Sequence, residues 1–176
     1  MSEKHRYKKL GGWLLIFVIS LLLQIAAAVL AQFGEGGLLD VLRGWSLYDG
    51  AQAYLLLAGQ VVSLLLILIH VFVVAEILQR DPYFLRTLQM AFVVAAINLL
   101  VQLAGGYFYG FEGYGLLMLV LQGVVFPFGV LFAMLYYTRS VRVRTYMGSD
   151  EYLRLAFLTK KMKGPKPAVP DGEEAA

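Results

Sequence analysis

The chain has no cysteine. That excludes a disulfide framework, a thiolate metal site and a cysteine nucleophile. Of its two histidines only His70 lies in an apolar run, so one chain cannot supply both axial ligands of a haem within lipid. Charge is also scarce. Only 15% of residues are charged against 60% hydrophobic, far from the balance of a soluble domain. The sequence contains no metal-ligand cluster, phosphate-binding glycine loop or nucleophile–base pair, so neither an enzyme nor a bound cofactor is expected. No internal repeat is evident. The net charge of +3 would suit nucleic acid, but the basic residues gather at the ends of apolar runs, and no nucleic-acid partner is expected.

What the sequence does have is four long uncharged or nearly uncharged runs. They cover residues 11–31, about 51–76, about 83–104 and 115–138. Runs of 18 or more apolar residues suit a helix crossing about 30 Å of hydrocarbon. The first is too long for the core of a cleaved signal peptide, although Val29-Leu30-Ala31 is a passable cleavage site, and is read as a retained span. The expected fold is therefore all-α, an integral membrane four-helix bundle over residues 8–147. A short amphipathic helix over 148–163 and a disordered tail over 164–176 follow it.

The connections carry their own signals. Leu38, Leu39, Val41, Leu42 and Trp45 suit a short interfacial helix or ordinary loop packing. Asp81 and Pro82 read as the start of the third span. The segment GGYFYGFEGYG reads as an aromatic-rich connection at the membrane boundary. Pro127 should kink the fourth span by removing one backbone bond. The alternation of SVRVRT fits a strand, but a helix continuing past the membrane fits equally.

Lysine and arginine set the expected orientation. Four lie before the first span, two between the second and third, and eight after Thr138, against Arg43 alone on the other side. By the positive-inside rule both termini are cytoplasmic.

Inside the spans, polar residues recur on single helix faces. Gln24, Gln60, Asn98 and Gln122 fall at one depth, and Gln102 is one turn from Asn98. An amide layer could line a cavity, or it could bond the helices together at about 0.6–2 kcal/mol per bond. The structural network is the plainer expectation. His70 is an ionisable residue in lipid and hence a functional candidate, with a neutral, hydrogen-bonded packing role as the plainer alternative. Arg139, Arg142 and Arg144 form a basic motif after the fourth span. They either enforce topology or also bind anionic lipid or a partner.

Two segments carry a resemblance: KKLGGWLLIFVISL at residues 8–21 and YYTRSVRVRTYM at 136–147. They resemble the Gly-Gly-Trp-Leu opening and the Tyr-x-x-Ser-x-Arg-Val-(Lys/Arg)-x-Thr-(aromatic) ending of the bacterial domain-of-unknown-function family 2569. Tyr137, Ser140, Arg142, Val143 and Arg144 match the second motif in register, with Arg144 where lysine is usual, and Thr145 and Tyr146 follow one residue early, with Tyr146 where phenylalanine is common. The resemblance implies a four-span bacterial inner-membrane protein and brings no catalytic residues. The expected function is an accessory subunit binding another membrane component, or a second copy of itself, within the lipid bilayer. The alternative is a small-solute carrier or channel built on the amide layer.

Overall fold

The computed structural model describes residues 10–34, 37–48, 50–109 and 114–157; the side chains of residues 109, 114–116, 118, 119 and 122 stand outside that description. Among the described residues every element is helical: α1 Trp13–Ala31, α2 Leu38–Arg43, α3 Gly50–Gln79, α4 Phe84–Tyr109, α5 Tyr114–Arg139, α6 Val141–Met147 and α7 Glu151–Leu155. A 3₁₀ turn at Trp45–Leu47 joins α2 to α3. Three helices (α1, α3 and α4, the last through Phe108) are long and apolar enough to cross a membrane. A fourth joins them if Gly123–Arg139 and α6, bent by 63°, count as one span. Their outward faces suit lipid, with Trp13, Leu23, Phe72, Val93, Phe128 and Phe132 all exposed.

The long helices run up and down, and each packs on its neighbour in sequence: α1 on α3, α3 along α4, and α4 on α5. Helices α1 and α5 approach one another far less closely. They are bridged at one end by the Phe17 and Tyr137 rings, 5.3 Å apart and edge-on. A seam therefore runs between the first and last long helices.

The turn from α1 to α2 depends on backbone proximity. A Cβ on Gly37 would lie 2.4 Å from the Gln32 carbonyl oxygen, so only glycine lets the chain fold back here. Val41 on α2 is fully buried, which makes this segment a packed turn and gives the expected short helix. The turn from α3 to α4 is tighter still. The Asp81 N–H donates to the Glu76 carbonyl (2.8 Å) and the Arg80 N–H to that of Ile77 (3.2 Å), closing the helix end in a Schellman pattern. Arg80 takes the left-handed conformation at φ +59°, a position usually given to glycine. Asp81 then accepts from the Tyr83 N–H (2.9 Å), satisfying a backbone donor at the start of α4.

Two boundaries differ from those read in the sequence. Helix α4 continues five residues past Ala104, through Gly105 and Gly106 to Tyr109, instead of opening into a connection at Gly105. Glycine weakens a helix in water, but unpaired backbone groups in lipid cost more, and Gly105 packs within reach of Leu55 on α3. The connection's residues 110–113 lie outside the described residues. Helix α5 runs through Pro127 as one element, and the sharp turn comes at Ser140. There the Ser140 hydroxyl accepts from the Val143 N–H (3.4 Å) and starts α6. Gly148, at φ +75°, ends it. The helix expected over 148–163 is α7, five residues long; residues from 158 onward, including the tail at 164–176, lie outside the described residues.

Helices α6 and α7 cover one end of the bundle. The core gathers there: Leu14, Val18 and Leu21 of α1, Val73 and Ile77 of α3, Phe84, Leu85 and Leu88 of α4, Tyr137 of α5, and Val143, Tyr146 and Tyr152 of the short helices. Phe84 is wholly buried, with its ring 5.6 Å from that of Tyr137 and 5.3 Å from that of Tyr152. Two tyrosine hydroxyls fasten this cap to backbone carbonyls. Tyr146 donates to Ile77 (3.1 Å) and Tyr152 to Tyr137 (3.0 Å). Arg80 also lies over the Tyr146 ring at 4.7 Å, so one tyrosine holds the end of α3 and the first residue of the turn after it.

Candidate functional site

Beyond the packed end the same helices diverge. A cleft of about 530 Å³ opens among all four, lined by Gln24 of α1, Leu66 of α3, Ala95, Asn98, Leu99 and Gln102 of α4, and Leu121, Val125 and Phe126 of α5. Its walls are mostly apolar, and three amides project among them. The sequence spacing explains the grouping: Ala95, Asn98 and Gln102 recur at i, i+3 and i+7, which holds them on one face of α4. Leu66 of α3 and Phe126 of α5 close the sides. One turn nearer the basic end stand Leu21, Ile69 and Ala91, all buried, so the cleft has a floor.

The three cleft amides make no interhelical hydrogen bond among the described residues. Gln24 Nε2 donates to Ser20 Oγ (3.3 Å) on its own helix. Asn98 and Gln102 make no side-chain hydrogen bond among the described residues. For Gln24, Asn98 and Gln102 the described residues therefore supply no bond of the expected interhelical network. An unmet amide in hydrocarbon costs several kcal/mol, whereas one facing a cleft can be satisfied by what enters it.

The other polar candidates are dispersed. Gln60 is half-buried on α3 but does not line the cleft, and it has contacts of its own. Gln122 belongs to α5, one residue from Leu121 in the cleft wall, with its side chain outside the description. His70 is half-buried on α3, away from the cleft, and its ring makes no hydrogen bond among the described residues, unlike the bonded packing histidine expected. No three His, Asp or Glu side chains among the described residues stand close enough to hold a metal ion.

Sequence reasoning missed several polar contacts that do join helices. Gln32 is buried and donates through Nε2 to Ser63 Oγ (3.2 Å), tying the end of α1 to α3. Thr87 donates to Glu76 Oε1 (2.9 Å) across the α3–α4 turn. Gln89, also buried, accepts the Phe157 N–H (2.7 Å) through Oε1 and anchors the end of α7. Arg86 covers the Phe157 ring at 4.8 Å. Each lies at a helix end or in a turn, where face periodicity gives no signal.

The three arginines of the basic motif separate. Arg144 turns inward, donating through Nη2 to the Thr138 carbonyl (2.9 Å) and pairing with Asp150 (3.6 Å). It braces the bend between α5 and α6. Arg142 packs against the start of α1: a Cβ on Gly12 would lie 2.6 Å from its Nη1. Arg139 ends α5 and is exposed.

A smaller groove of about 200 Å³ lies near these last two, lined by Trp13, Ile16, Phe17 and Ser20 of α1 and Phe132, Ala133, Tyr136 and Tyr137 of α5. Ser20 of this groove is the residue hydrogen-bonded to Gln24 of the cleft. Groove and cleft are thus two stretches of one seam between α1 and α5.

No family model, curated protein or solved structure matches the chain.

Proposed function

We propose that the chain is an accessory subunit of a bacterial inner-membrane assembly, with its basic end on the cytoplasmic side, and that it binds a transmembrane helix of a partner in the amide-lined cleft. The observation that carries this reading is the pair Asn98 and Gln102, which make no side-chain hydrogen bond among the described residues and which, Gln24 apart, face apolar walls. A partner helix presenting an amide or hydroxyl at that depth would satisfy both and fill the space between α1 and α5. Interhelical hydrogen bonds of this kind contribute about 0.6–2 kcal/mol each in membranes. The buried layer beneath the cleft favours binding over transport, since it closes the way to the basic end. The fourteen-to-one bias of lysine and arginine supports the orientation, and the resemblance of residues 8–21 and 136–147 to family 2569 supports the membrane.

Affinity purification in mild detergent tests the reading. The parent should retain a stoichiometric membrane partner, and Asn98→Leu with Gln102→Leu should release it. Solute flux through liposomes holding only the pure protein, with no partner retained, would replace this reading with that of a small carrier. Orientation has its own test, because the chain has no native cysteine. Ser46→Cys should react with an impermeant maleimide from outside the inner membrane and Ser149→Cys only after lysis; the reverse pattern would invert the topology.

A further inference from the structure

The long helices are unequal in height. Exposed tyrosines mark both ends of α4, Tyr83 just before it and Tyr107 near its close, about 36 Å apart at 1.5 Å per residue. That spacing falls between a hydrocarbon layer of about 30 Å and a whole bilayer of about 40–45 Å, where aromatic belts belong. Tyr54 of α3 is level with Tyr107, because Leu55 and Gly105 stand opposite one another: a Cβ on Gly105 would lie 3.7 Å from the Leu55 side chain. The Trp45 ring meets that of Tyr54 edge-on at 5.5 Å and so joins the same level.

Helix α1 does not reach it. Its 19 residues rise only about 28 Å. Gln32, just past its end, bonds Ser63 of α3, about 13 Å below Tyr54 along that helix. By either measure α1 stops roughly 8–13 Å short of the aromatic level. Helix α2 occupies the missing layer. It starts where Gly37 folds back against the Gln32 carbonyl, and it leads through the 3₁₀ turn to Trp45. Val41 packs its inner side and is fully buried. Phe33, Leu39 and Leu42 are exposed, the last two at i and i+3 on one side of α2. Apolar side chains just below an aromatic belt meet acyl chains. Charge limits the depth. Asp40, which has contacts of its own, and Arg43 are exposed on the adjoining side, and a guanidinium on a long apolar stem reaches headgroups from this level.

We infer that α2 and the turn to Trp45 are seated in the lipid leaflet opposite the basic end, with Phe33, Leu39 and Leu42 among acyl chains and Asp40 and Arg43 at the headgroups. The partner is the apolar margin of the leaflet, so phosphatidylcholine suffices and anionic lipid is not required. This foot completes the crossing that α1 is too short to make alone. The seating depends on the long helices crossing a membrane, and not on what occupies the amide cleft.

Spin labelling of the full chain in phosphatidylcholine vesicles tests it, since no native cysteine competes for the label. Nitroxides at Leu39→Cys and Leu42→Cys should collide several-fold more with oxygen, which concentrates in lipid, than with a water-soluble nickel chelate. Ser149→Cys, beyond the last long helix, should show the reverse. Nickel preference at Leu39→Cys and Leu42→Cys would place α2 in water and overturn the seating. Shielding of both from oxygen and nickel alike would mean that protein covers this face, and would overturn it too. Trp45 gives a second reading that leaves α2 unaltered. Trp13→Phe makes it the sole tryptophan. Its emission should then be quenched more by lipid brominated near the glycerol ester than by lipid brominated at the chain end, or by iodide in the water. Quenching by iodide with no effect of brominated lipid would show an aqueous loop and reject the inference.

Discussion

The two halves of the helix bundle are made from equally apolar sequence and are packed in different ways. At the basic end Leu14, Val18, Val73, Ile77, Phe84 and Leu88 interlock beneath α6 and α7, and Tyr146 and Tyr152 cap backbone carbonyls. In the other half the helices part around Gln24, Asn98 and Gln102. Hydrophobicity does not separate the two, because lipid solvates an apolar side chain as well as a protein interior does. The separation comes from shape and from hydrogen bonds. Rings pack together beneath α6 and α7, whereas Asn98 and Gln102 make no side-chain hydrogen bond among the described residues. Stability and binding are accordingly assigned to opposite halves, a division that substitutions can test.

The largest effect should come from Phe84→Ala. It removes a wholly buried ring between Tyr137 and Tyr152 and should lower unfolding stability in detergent by about 3–5 kcal/mol. Phe128→Ala, an exposed lipid-facing position, should cost far less. Equal losses would erase the distinction between the halves. Tyr146→Phe comes next. It keeps the ring under Arg80 and removes one of two hydrogen bonds to the Ile77 carbonyl, which still accepts from the Arg80 N–H, a loss of about 0.5–1.5 kcal/mol in the same measurement.

Tyr152 adds a pH dependence. Burial pushes its pKa up to about 12, against a usual value of 10. Between those two values the unfolded chain releases the proton while the folded one keeps it, so the Tyr152 contribution is complete below pH 10 and declines as pH rises towards 12. Thermal unfolding at pH 9 and pH 11 should therefore show a larger drop for the parent than for Tyr152→Phe. Identical drops would mean that the cap at this end opens before the phenol ionises.

The smallest effect on stability should come from Asn98→Leu and Gln102→Leu, because neither amide bonds another helix among the described residues. Both variants should unfold within about 0.5 kcal/mol of the parent. A loss of 1 kcal/mol or more would return these amides to a structural role and remove the contrast on which the cleft reading depends.

Much of the architecture was legible beforehand, for identifiable reasons. Uncharged runs located all four long helices, since backbone groups in lipid must bond within their own helix. The i, i+3, i+7 spacing on α4 anticipated that Asn98 and Gln102 share a face. Less legible was the fate of Arg139, Arg142 and Arg144, which look alike in sequence but come, in that order, to face outward, pack on Gly12 and brace a bend. The turn at Ser140 separates them, and its cap is a hydrogen bond three residues long that the alternating pattern SVRVRT conceals. The length of α4 was also misjudged, because Gly105-Gly106 reads as a break in water and is tolerated as helix beside Leu55.

The sequence by itself determined the class of element, the number of apolar runs and the side on which positive charge accumulates. These follow from local composition and from the thickness of a bilayer. Only the tertiary structure decided where the helices touch. It brought Tyr146 to Ile77 and Tyr152 to Tyr137, left α1 and α5 apart, and put Gln24, Asn98 and Gln102 around a space instead of against one another. The physical reason is that packing in lipid is driven by fit and by unmet backbone and amide groups, and those depend on which distant residues meet.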